Sequence, residues 1–275
     1  MPMQILYGIS DILFAMLYYV FPYRKKVVIS NLKNAFPNKS NQEIKTISRQ
    51  FYRHFCQIIV ESIKSFTISN KELFKRFKVT NIEILNKYYE EKRNVILVTG
   101  HYGNWEWAAL TLALQSKYVG AGIFQPLKNK FFNRVLFQTR TKNGLILIPP
   151  KETANYFEKL SNRLVAYGFI GDQSPSNPDK GYWLNFLNQP TNVLTGTEKY
   201  AKLYNCVVLF GKIEKIKRGY YQLTYLPVCN NPSLTTEGEI TETHTRILEN
   251  IIQERPELWL WTHRRWKHKP KKNDK

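Results

Sequence analysis

The sequence predicts an α/β protein with a mostly parallel sheet flanked by helices, entered through a hydrophobic N-terminal helix. Three observations carry that prediction. From Asn94 onward, short apolar runs at 94–99, 118–123, 145–148 and 164–170 alternate with helical stretches near 104–115, 129–142 and 151–161. That is the βαβ rhythm of a parallel sheet. Before Asn94 the pattern is helical, and before residue 27 it is almost wholly apolar.

The first segment runs from Ile5 to Tyr23 and is apolar apart from Ser10 and Asp11, with Arg24-Lys25-Lys26 directly after it. It is too apolar all round for an ordinary surface helix. As a helix it would be about 28 Å long, close to a bilayer core. No basic residue precedes the run and no small-residue cleavage site follows, so it does not read as a signal peptide. Residues 1–26 therefore read as a membrane anchor helix, either spanning or lying in the interface. Asp11 and the aromatics Phe14, Tyr18, Tyr19, Phe21 and Tyr23 favour a shallow position. The basic triplet places the C-terminal end of the helix at the cytoplasmic face.

Residues 27–92 read as helical. Ile29, Leu32, Ala35 and Phe36 have helical spacing and Pro37 stops the run. A second helix, about 41–65, carries Ile44, Ile47, Phe51, Phe55, Ile58 and Ile59 on one stripe, with His54 beside it as a packed residue. Residues 70–92 are charged and read as short surface helices. The α/β core is expected over 93–267. Within it, 171–192 reads as a long polar loop with Pro175, Pro178, Gly181 and Pro190. A helix at 195–204, a hairpin from 206–214 and 220–226 turning at Lys217-Arg218-Gly219, and a helix at 238–254 follow. Residues 268–275 form a basic tail.

Composition narrows the partners. The 275 residues carry 41 Lys+Arg against 21 Asp+Glu, a formal net charge of +20. Such an excess attracts nucleic acid or an anionic membrane surface. The basic residues are spread along the chain, and no helix-turn-helix, zinc-finger or RNA-recognition signature accompanies them, so a nucleic-acid partner is not expected. Cys56, Cys206 and Cys229 are few, odd in number and widely spaced. They read as core residues in a reducing compartment, with no disulfide framework and no metal site.

The chemistry-bearing stretch is Asn94 to Trp107. An apolar strand ends in the turn Gly100-His101-Tyr102-Gly103, and a helix opens with Glu106 in its first turn. The C-terminal edge of strands is where open α/β sheets bind ligands. The chain has no Walker A loop, no dinucleotide fingerprint, no His-Glu-x-x-His and no Gly-x-Ser-x-Gly elbow. What remains is general-base chemistry by His101 on a hydroxyl supplied by the substrate.

The motif His101-Tyr-Gly-Asn-Trp-Glu106 resembles the His-x4-Asp/Glu signature of the lysophospholipid acyltransferase superfamily. More narrowly, the chain resembles the lipid A biosynthesis lauroyl and myristoyl acyltransferases. Phe124-Gln125-Pro126 with Asn129, Phe132 and Asn133 is similar to the family's aromatic-Arg/Gln-Pro-x-x-Asn segment. Arg140 with Gly144, Gly171-Asp172-Gln173, Phe186-Leu-Asn188 and Pro256-Glu-Leu-Trp-Leu-Trp-Thr-His-Arg-Arg-Trp-Lys267 continue the likeness. Two positions depart from the family pattern: Gln125, where many members carry Arg, and Asn188, where Phe-Phe-Gly is usual.

The resemblance implies a glycerolipid acyltransferase-like fold and acyl transfer from acyl carrier protein or coenzyme A to a lipid hydroxyl. No cofactor beyond that co-substrate is implied. His101 would be the base and Glu106 its orienting partner. Arg140 would meet an anionic group or oxyanion, and Asp172 would orient a neighbour. Gln125, Asn129 and Gln173 would belong to substrate binding. The implied acceptor is a lipid A precursor at the inner membrane, with the catalytic domain on the cytoplasmic side. A phospholipid, glycolipid or aminoacyl-lipid acceptor, or a hydrolytic relative using water, stays open. The Trp-rich C-terminal motif reads either as an interfacial aromatic belt or as a packed helix, with His263 a minor candidate for a second base.

Overall fold

A computed structural model describes residues 1–126 and 129–270. The side chain of Phe132 and most of the expected basic tail, 271–275, lie outside the described residues. In chain order the helices are α1 (Met3–Ala15), α2 (Lys25–Ala35), α3 (Asn41–Lys64), α4 (Asn70–Arg76), α5 (Glu83–Glu90), α6 (Trp105–Gln115), α7 (Lys130–Thr141), α8 (Thr153–Lys159), α9 (Gly196–Tyr204) and α10 (Glu239–Glu254). The strands are β1 (Phe77–Val79), β2 (Val95–Thr99), β3 (Val119–Ile123), β4 (Ile146–Ile148), β5 (Val165–Ile170), β6 (Gly181–Phe186), β7 (Gln189–Leu194), β8 (Val207–Lys217) and β9 (Tyr220–Cys229).

Seven strands form one sheet in the order β1-β9-β8-β2-β5-β3-β4. Every pairing is parallel except the β8–β9 hairpin, so the mostly parallel sheet expected from the alternation is what forms. Val95 to Val98 are all buried, as a central strand covered on both faces requires. Two apolar layers sandwich the sheet. One holds Ile96, Val98, Tyr167, Phe210 and the C-terminal Trp259 and Trp261; the other holds Leu97, Leu112, Leu147, Leu209 and Trp107.

Side-chain caps mark the starts of α3, α4 and α6. Ser40 and Glu43 form a reciprocal capping box at α3. Asn104 caps α6, its side chain accepting from the Trp107 N–H at 2.9 Å. That cap places Glu106 in the first turn of α6.

Three expectations are corrected. The charged segment 70–92 contains β1, which pairs in parallel with β9 at the sheet edge. The polar stretch 171–192 is a loop only as far as residue 180, and from Gly181 β6 and β7 form an antiparallel hairpin. Its two-residue turn is Leu187-Asn188, with φ of 50° and 61°. Asn tolerates that left-handed geometry, so the tight turn survives without glycine, and the Asn188 amide donates to the Ala35 carbonyl at 2.9 Å. Finally, of the two readings of the C-terminal tryptophans, the packed one holds for Trp259 and Trp261, but without the helix. Residues 256–258 make one 3-10 turn and the chain then passes through further turns at 261–262 and 265–266, with Trp259 and Trp261 buried.

The N-terminal segment is a helix that continues from α1 through a wider turn at Met16–Val20. Over Met3–Val20 it is long and apolar enough to cross a membrane. It packs on α3 through one face, burying Met3, Leu6, Ser10, Phe14 and Tyr18, and exposes Ile5, Ile9, Ile12, Met16, Tyr19 and Val20 on the other. Asp11 is paired with Arg218 at 2.7 Å.

Candidate active site

β2 and β5 are parallel neighbours, so their C-terminal ends finish side by side. The pairing continues past the strands, where the Gly171 N–H donates to the Thr99 carbonyl at 3.0 Å. The next residue on β5's path is Asp172, and two residues past Thr99 is His101. The two meet directly: His101 Nδ1 lies 2.6 Å from Asp172 Oδ1, and the His101 backbone N–H donates to Asp172 Oδ2 at 2.7 Å. Trp259 Nε1 donates to the same Oδ2 at 2.8 Å. A buried carboxylate with three donors is fixed in place and kept ionised. Burial opposes its charge, but the His101 ring and these hydrogen bonds prevail and hold Asp172 down at about 2.

The turn carrying His101 is pinned from the C-terminal segment. Tyr102 bridges to Trp259, the Gly103 N–H donates to the Leu258 carbonyl at 3.0 Å, and the Leu260 N–H donates to the His101 carbonyl at 3.1 Å. Gly103 sits at φ +60°, and a Cβ there would lie 2.7 Å from Ile213 Cγ2. Only glycine fits that position without strain.

With its Nδ1 proton directed at Asp172, the imidazole presents Nε2 as an acceptor. Gln173 Nε2 lies 3.2 Å from that nitrogen. Trp105 stands edge-on to the ring with centroids 5.3 Å apart. Burial disfavours the imidazolium, but the Asp172 charge and hydrogen bond, helped by Glu106 and opposed by Arg140, raise the ring above its ordinary value.

Glu106, expected to orient the imidazole, has a different partner. Its carboxylate is held by Arg140 of α7 through Nη2 at 2.7 and 2.9 Å and Nε at 3.2 Å. The helix carries Glu106 across to α7, while the strand order brings Asp172 to the ring. Arg140 is thus paired with a carboxylate of the protein itself, and its guanidinium also stands 5.1 Å from the Phe124 ring centre. Gln125 and Asn129 are exposed between β3 and α7; the bonds that hold His101 do not involve them.

Beside this cluster lies an apolar cavity of about 770 Å³, its open mouth included. It runs between α6 and one face of the sheet. Glu106, Arg140 and Trp105 border it at the strand ends, with Leu97, Leu112, Leu147 and Tyr225 among its walls. Trp105 touches both the His101 ring and the cavity, and joins the two.

His263, His244 and His54 are packed into the fold and take no part in the Asp172–His101 bond. His263 Nε2 accepts from the Ser174 N–H at 3.3 Å, and burial pushes it down to about 4. His244 is buried behind Gly171 and is likewise pushed to about 4 by burial. His54 is buried and within 3.2 Å of Lys215 Nζ. The sequence reading gave Trp105 no place, offered His263 only as a minor second base, and gave Trp259 a belt or a packed helix rather than a bond to Asp172. The Trp259 signal was present in the C-terminal motif, but its pairing with Asp172 is set by the fold.

Residues 1–268 match the profile described as bacterial lipid A biosynthesis acyltransferase. The chain belongs to that family. It is 23% identical over 248 residues to the lipid A biosynthesis lauroyltransferase of Escherichia coli (strain K12), covering 90% of this chain and 80% of that protein. It is 21% identical, at the same coverage, to the Escherichia coli lipid A biosynthesis palmitoleoyltransferase and to a lipid A biosynthesis acyltransferase of Shigella flexneri. The chain is thus an acyltransferase of lipid A biosynthesis. The cluster of His101, Glu106, Arg140 and Asp172 stands where the sequence motifs converge.

Proposed function

We propose that this acyltransferase moves a fatty acyl group from a thioester, on acyl carrier protein or coenzyme A, to a hydroxyl of a lipid A precursor, with His101 as general base. The observation that carries the reading is the His101–Asp172 pair at the sheet's C-terminal edge, next to an apolar cavity of acyl-chain character. Neutral His101 Nε2 takes the proton from the acceptor hydroxyl as its oxygen attacks the thioester carbonyl. Asp172 holds the tautomer and stabilises the imidazolium that forms. A C–O bond forms, the C–S bond breaks, and the proton passes from His101 to the departing thiolate. Gln173, already at Nε2, marks the place the hydroxyl would take. Arg140, anchored by Glu106, supplies a fixed positive charge at the cavity mouth for the developing oxyanion.

The membrane side of the reading rests on α1. One of its faces is occupied by α3, which suits a helix lying along the interface better than one surrounded by lipid. Its outward apolar face would enter the acyl boundary, and the basic chain would meet anionic headgroups of the inner membrane on the cytoplasmic side.

The test is turnover of the purified protein with acyl thioesters and a lipid A precursor, read by mass spectrometry. An acylated precursor is expected, and His101→Ala should abolish it while keeping the fold, read by circular dichroism. Free fatty acid without acylated lipid would mean hydrolysis. Acylation of a phospholipid alone would move the acceptor assignment. Near wild-type turnover by His101→Ala would remove His101 from the base role.

A further inference from the structure

The cavity has a floor made partly of glycine. Strand register puts Gly122 of β3 directly opposite Gly168 of β5. Leu147 of β4 flanks Gly122, and Leu97 of β2 flanks Gly168. Cross-strand partners share a face of the sheet, and all four of these residues line the cavity. The row therefore has side chains at its two ends and none in the middle. Two residues further along the strands, Ile170 and Thr99 form the next row on the same face, and they too line the cavity near its Glu106–Arg140 mouth. The glycine pair thus lies one row deeper, about 7 Å by the rise of a strand.

Nothing in the backbone demands glycine at either place. Neither residue has a positive φ. A Cβ on Gly122 would meet nothing closer than 3.8 Å, and one on Gly168 nothing closer than 3.6 Å. Gly103 is the contrast, with a clash at 2.7 Å. Glycine inside a strand weakens it, so two of them facing each other in interior strands, where a side chain would fit, need another reason. The atoms nearest those added carbons belong largely to the cavity wall: Leu145 and Leu147 at Gly122, Leu112 at Gly168. A side chain at either position would fill the cavity.

We propose that the Gly122–Gly168 pair sets the acyl-chain length this enzyme transfers, by leaving the deep part of the cavity open for the distal end of the chain. The proposal rests on the reading that the cavity takes the donor's acyl group. A methyl or isopropyl group at either glycine raises the floor and shortens the chain that fits. One methylene of fit in an apolar pocket changes discrimination by about 10- to 200-fold.

The experiment compares wild type with Gly168→Ala, Gly168→Val and Gly122→Val. Donors are saturated acyl thioesters of graded length, each offered on acyl carrier protein and on coenzyme A. Expected is a progressive shift of the kcat/KM optimum to shorter chains from Ala to Val, with the longest wild-type substrate losing at least about 10-fold and shorter ones holding close to wild type. A uniform loss at every length, or an unchanged length profile, overturns the proposal. Thermal stabilisation by free fatty acids of graded length provides a second readout that needs no turnover. The chain length giving greatest stabilisation should fall in the same order. If wild type transfers no acyl group but the stabilisation profile still shifts, the glycine pair stands as the gauge of chain length and the transfer reading fails. If neither profile moves, the glycine proposal fails by itself.

Discussion

Asp172 Oδ1 lies 2.6 Å from His101 Nδ1, although the two residues are 71 positions apart in the chain. Two carboxylates flank the His101 turn, and the structure gives them different partners. Asp172 holds the ring through Nδ1, while Glu106 holds Arg140 at the cavity mouth. The His-x4-Glu motif thus joins a strand-end turn to the start of α6 and serves two different tools, an imidazole and, through Glu106, an anchored guanidinium.

This separation gives the first prediction. Asp172→Asn keeps the side chain's shape but removes the charge that stabilises the imidazolium. It should lower kcat by roughly 10²- to 10⁴-fold, the usual scale of a general-base contribution. Glu106→Gln should leave the His101 tautomer intact and act through Arg140, with the loss falling on whatever charge Arg140 meets. Steady-state kinetics with both variants checks the assignment; Asp172→Asn turning over faster than Glu106→Gln would reverse it.

The pH profile is the second. A general base works in its neutral form, and His101 titrates above the ordinary histidine value of 6.5. Activity should therefore be lost as pH falls through a point above 6.5. Removing the Asp172 charge leaves burial as the larger influence on the ring, so the acid limb in Asp172→Asn should move to lower pH. On stability the signs are opposite for the two partners. The raised His101 contributes fully below 6.5, and its contribution is lost as pH rises through the raised value. Asp172, lowered from 3.8 to about 2, contributes above 3.8 and loses its share as pH falls through about 2. An acid limb that stays put in Asp172→Asn would dissociate the limb from His101.

Trp259 supplies the third. Its indole N–H reaches Asp172 Oδ2 at 2.8 Å from a buried position. Trp259→Phe preserves most of the packing and deletes one donor to a charged acceptor, a loss of about 1.5–3 kcal/mol. Part of that should appear in melting temperature and part in kcat, with the His101 acid limb shifted because Asp172 is less firmly ionised. Unchanged kcat and unchanged pH profile would reduce Trp259 to packing.

Much of this site was legible in the residues, for physical reasons that differ along the chain. Val95 to Val98 is a continuous apolar run closed by a glycine turn and an Asn104 cap, all local signals, so β2, His101 and α6 could be placed before any contact was known. The partner of His101 could not. It depends on β5 lying next to β2, and strand order is a non-local property. β1 is three residues long in charged surroundings and exists because β9 pairs with it. The β6–β7 hairpin hid behind prolines and a turn in which Leu187 adopts a positive φ, a conformation its residue type does not advertise. The C-terminal tryptophans could be read as a membrane belt or as core because aromatic and basic residues alternate there; the burial of Trp259 and Trp261 decides for the core.

The last prediction concerns Glu61, a fully buried residue of α3 that joins three parts of the chain. Its carboxylate accepts from Tyr7 of α1 at 3.0 Å, Tyr221 of β9 at 2.8 Å and the Asn104 amide at 2.7 Å. Asn104 is the cap that starts the helix of Glu106. Burial raises Glu61 above the usual carboxylate value, with these hydrogen bonds working the other way. Glu61→Gln keeps the volume but turns an amide toward hydroxyl and amide donors, leaving at least one buried group unpaired at about 1–3 kcal/mol. The variant should melt at a lower temperature, and α6 should be less firmly held at its N-terminal end. Since Asn104 lies two residues before Glu106, kcat should fall along with stability, while Tyr7→Phe, which removes only the α1 arm, should cost stability with little effect on kcat. Equal kcat losses in both variants would show that the site depends on α1 docking as a whole, and no loss in Glu61→Gln would show that the α6 cap is held without it.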